Sequence, residues 1–132
     1  MLFLIVDDEA PIRALLKRLI LQMGHAEVVE AADGGKGLDL FRARRPDCVL
    51  LDLEMPGVDG LAFLRQRKEV PGWERSAVLV VTGSSLSPAV ERAILADADH
   101  LLRKPFPPEA LAAAIRLALE RRSSVPPPTG AP

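Results

Sequence analysis

Five short apolar runs, each leading into a longer stretch of helical periodicity, restrict most strongly what this 132-residue chain can fold into. Leu2–Val6 is apolar throughout, as strands buried on both faces are. Ile12, Leu15, Leu16, Leu19, Ile20 and Met23 then recur at helical spacing, with Pro11 suited to a first helical turn and Gly24 to a stop. Residues 26–30 read as a second, weaker strand, and 35–43 as a helix carrying Leu38, Leu40 and Phe41. Pro46 opens a third strand over Cys48–Leu51, which ends at Asp52. A loop with Pro56 and Gly57 leads to a helix through Leu61, Phe63 and Leu64. Residues 77–81 form a fourth strand ending at Thr82 and Gly83, and Pro88 begins a short helix with Val90, Ala93 and Ile94. Leu101 and Leu102 make a short fifth strand ending near Lys104, and residues 107–122 form the last helix. Strand and helix alternate about five times, which predicts a doubly wound, five-stranded parallel α/β sheet with helices on both faces. One domain spans 1–122. The remainder, 123–132, is rich in Pro, Ser and Gly and reads as a disordered tail or a linker stub.

The composition suits one buried core: 48% of residues are hydrophobic and 27% charged. With 17 basic and 18 acidic residues the net charge is −1, which leaves no electrostatic footprint for nucleic acid. A single cysteine, Cys48, excludes an intrachain disulfide and fits a reducing compartment. The apolar opening runs straight into Asp7-Asp8-Glu9, too short for a signal-peptide core, and no stretch is long enough to cross a membrane. The expectation is a soluble cytoplasmic protein without nucleic-acid or membrane partners.

The polar residues collect at the strand ends. In an open parallel sheet, sites form at the carboxyl ends of the strands. Here the first strand ends in Asp7 and Asp8, the third in Asp52, the fourth in Thr82, and the fifth near Lys104. Three convergent carboxylates repel one another, and a divalent cation relieves that repulsion. Oxygen-only ligands suit magnesium, which keeps several waters and takes few protein carboxylates. Lys104 adds a compact positive charge suited to phosphate, and Thr82 a hydroxyl for a phosphoryl oxygen. An aspartate can act as a covalent nucleophile and form an aspartyl-phosphate. Phosphoryl transfer needs mainly positioning and charge stabilisation, which this inventory supplies.

With those residues in view, the chain resembles the receiver domain of bacterial two-component response regulators, and among them the single-domain, chemotaxis-regulator type. The resemblance spans roughly residues 2–121 and rests on Leu4-Ile5-Val6-Asp7-Asp8-Glu9, the run from Pro46 through Asp52 to Gly60, Val80-Val81-Thr82-Gly83, and Lys104-Pro105-Phe106. It implies a flavodoxin-like fold with strand order 2-1-3-4-5. It also implies that Asp52 accepts a phosphoryl group from a sensor histidine kinase or phosphotransfer protein, and that the switch then acts on a downstream protein target. Asp8 would bind Mg2+ directly, Asp7 mainly through water, and Asp52 and the Glu54 backbone carbonyl would complete the ligands. Thr82 would swing towards the phosphate, Lys104 would pair with it, and Lys104–Pro105 would be cis, an isomer common only before proline. Such a domain is a phosphoacceptor switch, not an enzyme with an external turnover. With no output domain read after residue 122, it either stands alone or is cut from a longer regulator.

Some positions depart from the family pattern. An aromatic residue usually stands three positions before the lysine; here it is Leu101, and the chain has no tyrosine. Glu54 sits two residues after the acceptor and could reach over the phosphate pocket. In the last helix Leu111, Ile115 and Leu119 suit a core, while Ala110, Ala113 and Leu117 form a second stripe suited to a partner or a homodimer. Asp59 reads as a helix N-cap, Cys48 as buried core, and Trp73 as a loop anchor. Arg42, Arg44 and Arg45 read as a solvated helix end. His25 and His100 lack metal spacing. Two rival functions use the same residues. An aspartate-nucleophile phosphatase needs an acid where Glu54 stands, although Asp is usual there. A phosphorylation-independent scaffold would keep the fold without the switch.

Overall fold

The computed structural model describes residues 1–24, 27–55, 59–83 and 85–123. His25, Ala26, the loop at Pro56 and Gly57, and the expected tail from 124 onwards lie outside those residues. Five parallel strands form one sheet: β1 (Leu2–Val6), β2 (Glu27–Ala31), β3 (Cys48–Leu51), β4 (Ala77–Thr82) and β5 (His100–Arg103), in the order β2-β1-β3-β4-β5. Five helices alternate with them: α1 (Ala10–Gln22), α2 (Gly34–Arg44), α3 (Gly60–Gln66), α4 (Pro88–Asp97) and α5 (Pro108–Ser123). None of the described helices is long and apolar enough to cross a membrane.

The uniformly apolar strands are explained by what covers them. Phe3, Ile5, Cys48, Leu50, Ala77, Leu79 and Val81 face α1 and α5. The alternate residues Leu4, Val6, Val49, Leu51, Val78 and Val80 face α2, α3 and α4. Strand side chains alternate faces, so a strand with no exposed face must be apolar at every position. Fully burying each such side chain contributes roughly 1.5–3 kcal/mol. The two edge strands are the exceptions: β2 has Glu27 and Glu30 exposed with Val28 and Val29 half-buried, and β5 is half-buried from His100 to Leu102 with Arg103 exposed.

Most departures from the sequence reading lie at element ends, where local hydrogen bonds decide. Asp33 caps α2 by accepting the Lys36 N–H at 2.8 Å, so the helix starts at Gly34, and it ends on Arg45 with φ 48°. Asp59 caps α3 by accepting the Ala62 N–H at 2.8 Å, as its spacing predicts. α5 starts at Pro108 and runs to Ser123, one residue past the expected domain end at 122. Strand β5 extends on both sides of Leu101-Leu102 because β4 supplies paired neighbours from His100 to Arg103. In α5, Leu111 and Ile115 are buried with Ala114 and Ala118, Leu119 packs half-buried on that core, and Leu117 is 45% exposed.

Two short 3-10 turns, Arg67–Glu69 and Trp73–Arg75, separate α3 from β4 and carry no periodic signal. They assemble a charged cluster at the amino end of the sheet. The Trp73 ring takes Arg67 at 4.9 Å, Arg122 at 5.8 Å and Lys68 at 5.9 Å from its centroid. Arg67 is fully buried, and its guanidinium donates to the Leu64 and Asp97 carbonyls at 2.6 and 2.7 Å. Burial, with repulsion from Arg122, pushes its pKa down to about 10. Asp99 accepts the Val78 N–H at 2.8 Å and pairs with Arg122 at 3.1 Å, tying the end of α5 to the start of β4. Asp99→Ala should therefore strand two donors and lower stability by roughly 3 kcal/mol. Urea unfolding should show the loss as a lower midpoint with an unchanged slope.

Candidate functional site

The order β2-β1-β3 places the switch in winding direction between β1 and β3, where a crevice opens beyond the carboxyl ends of the strands. Val6 pairs with Leu51, so the next residues, Asp7 and Asp52, leave the sheet side by side. The Asp52 N–H donates to the Val6 carbonyl at 2.9 Å, and the Asp7 N–H to the Ala31 carbonyl at 3.1 Å. On the other flank, the Lys104 N–H donates to the Thr82 carbonyl at 2.9 Å. Backbone pairing thus delivers all four side chains to one edge.

Carboxylate oxygens of Asp7, Asp8 and Asp52 lie within 4.8 Å of one another, with Asp7 and Asp52 buried and Asp8 exposed. Lys104 Nζ stands 3.1 Å from Asp7 Oδ2 and 3.7 Å from Asp52 Oδ2. Asp7 Oδ1 accepts the Glu9 N–H at 2.9 Å, and Asp52 Oδ1 accepts the Glu54 N–H at 3.3 Å. Glu54 itself is exposed, and Thr82 is fully buried at the end of β4. The Lys104–Pro105 bond is cis. Leu101 lies half-buried on β5 beside Val80, packed against the α4 side of the core.

Burial raises the pKa of Asp52 above its ordinary value. The Glu54 N–H and Lys104 oppose that rise, and Asp7 and Asp8 add to it. The donor set fits a hard cation: three carboxylates, all oxygen, with an exposed member that leaves room for water. Elsewhere, burial pushes the Cys48 thiol far above its ordinary range, so it is inert core as expected. His100 is a half-buried strand residue.

Two residues to which sequence reasoning gave no role of their own also shape the site. A Cβ on Gly60 would lie 2.5 Å from the Asp52 carbonyl oxygen and 2.6 Å from Leu53 Cα, so only glycine lets α3 close against the main chain at Asp52. Arg13 donates to the Asp7 carbonyl at 2.7 Å. A glycine directly after an N-cap carries no signal of a tertiary contact, and an arginine in an amphipathic helix reads as surface.

Comparison with known proteins agrees with this geometry. Residues 3–116 match the family model for the response regulator receiver domain. The chain is 33% identical over 112 residues to a probable chemotaxis protein CheY of Rhizobium etli, covering 85% of this chain and 87% of that one. It is 38% identical over 120 residues to the response regulator MprA of a Mycobacterium species, covering 91% of this chain and 51% of the relative. It thus spans about half the length of that larger regulator. Among solved structures, chemotaxis protein CheY4 of Vibrio cholerae superposes with a TM-score of 0.80 at 30% identity, covering 89% of this chain and 97% of that one. A CheY-like receiver domain from Methanospirillum hungatei gives 0.79 at 28% identity, covering 92% and 95%.

The raised pKa of Asp52 has a stability consequence in metal-free protein. An acid whose pKa is higher folded than unfolded costs stability when ionised in both states. That cost is fully present above the folded pKa and disappears as pH falls below the unfolded value. Asp52→Asn should therefore raise Tm at neutral pH, with a gain that shrinks as the solution is acidified. Thermal melts in chelator across pH 3–8 check this; a gain that grows on acidification would contradict it.

Proposed function

Because this chain belongs to the response regulator receiver family and is therefore a phosphoacceptor module of two-component signalling, we propose that Asp52 is its acceptor and that Asp7, Asp8, Asp52 and the Glu54 carbonyl hold Mg2+. The observation that carries this reading is the convergence of three carboxylates within 4.8 Å, with Lys104 between Asp7 and Asp52. An Asp52 carboxylate oxygen forms the new O–P bond. The donor's P–N bond breaks (P–O for a small acyl phosphate), and the leaving group keeps the electron pair. Lys104 stabilises the charge spread over the phosphoryl oxygens, and the Thr82 hydroxyl donates to one of them. Bound magnesium would supply further charge stabilisation to the same oxygens. The acidic side chains orient the acceptor, and Lys104 offsets their repulsion until the phosphoryl group arrives.

The phosphodonor is a sensor histidine kinase or phosphotransfer protein, and the output is a protein contact. Exposed Leu117 on α5 belongs to the surface for a partner or second copy. The cytoplasm, where such kinases draw on ATP, is the setting that fits. With Leu101 in place of an aromatic, switching runs through Thr82 and the loop after it.

Acetyl phosphate with Mg2+ should add one phosphate to the wild-type protein, read by intact mass. Asp52→Asn, or chelator, should abolish the adduct. A persistent adduct on Asp52→Asn would move the acceptor elsewhere. Glu54→Gln should change the half-life of the phosphorylated form by about fivefold, the effect of one charge at roughly 4 Å in a water-like medium. Equal half-lives would remove Glu54 from the hydrolysis step.

A further inference from the structure

Asp7 lies past the last registered pair of β1, where the main chain turns into α1. Its carbonyl accepts from Arg13 Nη1 at 2.7 Å, and Arg13 Nε lies 3.4 Å from Glu30 Oε1 on β2. Lys17 adds a second cation 3.8 Å from the other Glu30 oxygen. The Asp7 N–H already donates to the neighbouring β2 residue, Ala31. Both main-chain groups of Asp7 are therefore tied to β2, one directly and one through a strap running Asp7–Arg13–Glu30. The carboxylate held in this way meets Glu9 and Lys104.

We propose that Arg13, anchored by Glu30, is a positioning residue that holds Asp7 and Asp8 in the arrangement that binds a divalent cation beside Asp52. The inference rests on the magnesium reading of the preceding subsection. Arg13 never touches the cation; it fixes the peptide between two ligands, and the planar fork of its guanidinium serves the hydrogen bond to Asp7 and the ion pair with Glu30 at once. Through-space charge has the opposite sign. A cation next to the acidic cluster repels a second cation, so neutralising Arg13 for its charge alone would tighten magnesium binding. Loss of the strap loosens it, and partners of this kind typically change metal affinity about tenfold or more.

The test is calorimetric titration of Mg2+ into the wild-type chain, Arg13→Gln, Arg13→Lys and Glu30→Gln, with metal-free melts alongside. About tenfold weaker binding is expected for Arg13→Gln. Arg13→Lys should not restore it, because an ammonium keeps the charge but not the fork. Glu30→Gln should weaken binding alone yet add little on top of Arg13→Gln, whereas charges acting through space would add. Equal or tighter binding by Arg13→Gln overturns the proposal. Should Arg13→Gln fail to fold, Arg13→Lys decides: weaker binding supports the strap and unchanged binding overturns it. A wild-type chain that binds no magnesium removes the metal reading itself, an outcome distinct from wild-type binding with indifferent variants.

Discussion

Burial of the sheet on both faces is the constraint on which the rest of this structure depends. Strands β1, β3 and β4 have no solvent face, so they are apolar until the carboxyl end, where β4 closes on the buried Thr82. Polar chemistry is thereby driven off the sheet and onto its rims. At the carboxyl rim the register of β1 with β3 sets Asp7 beside Asp52, and that of β3 with β4 brings Thr82 close by. The site follows from strands too apolar to hold it anywhere else.

The carboxyl rim holds an electrostatic imbalance. Three carboxylates share a small volume with one lysine, and burial raises the pKa of Asp52 despite that lysine. An arrangement of this kind costs stability, and it is suited to receiving positive charge and then a phosphoryl group. The amino rim is arranged differently. There Asp99 meets Arg122 and a backbone N–H, and Arg67 is satisfied by carbonyls at two of its nitrogens. One end of the sheet is pinned by paired groups, while the other keeps charge poised for a ligand.

The contrast gives the termini of the helices different duties. α5 is fastened at its far end through Arg122, and α3 is fastened at its near end by Asp59 and by the glycine that lets it touch Asp52. α1 is tied to the acidic loop by Arg13. Leu101 is tucked beside Val80, so the aliphatic residue at the family's aromatic position belongs to the core of this rim.

By itself the sequence determined the fold class, the five strands and which polar residues meet at the carboxyl rim. Apolar runs buried on both faces are unmistakable, and in a parallel sheet the residue after each run must fall on the carboxyl rim. The Asp7-Asp8, Asp52, Thr82 and Lys104 positions are legible for that reason, and Asp59 as a cap because capping is local. Tertiary structure decided what depends on contacts between distant segments. Gly60 matters because α3 closes on Asp52, Arg13 because α1 passes the Asp7 carbonyl, and Arg67 because two short turns bury it under Trp73. Each is an ordinary helix or turn residue in sequence. What makes each one count is a neighbour 6 to 30 positions away in the chain, and no periodic pattern encodes which neighbour that will be.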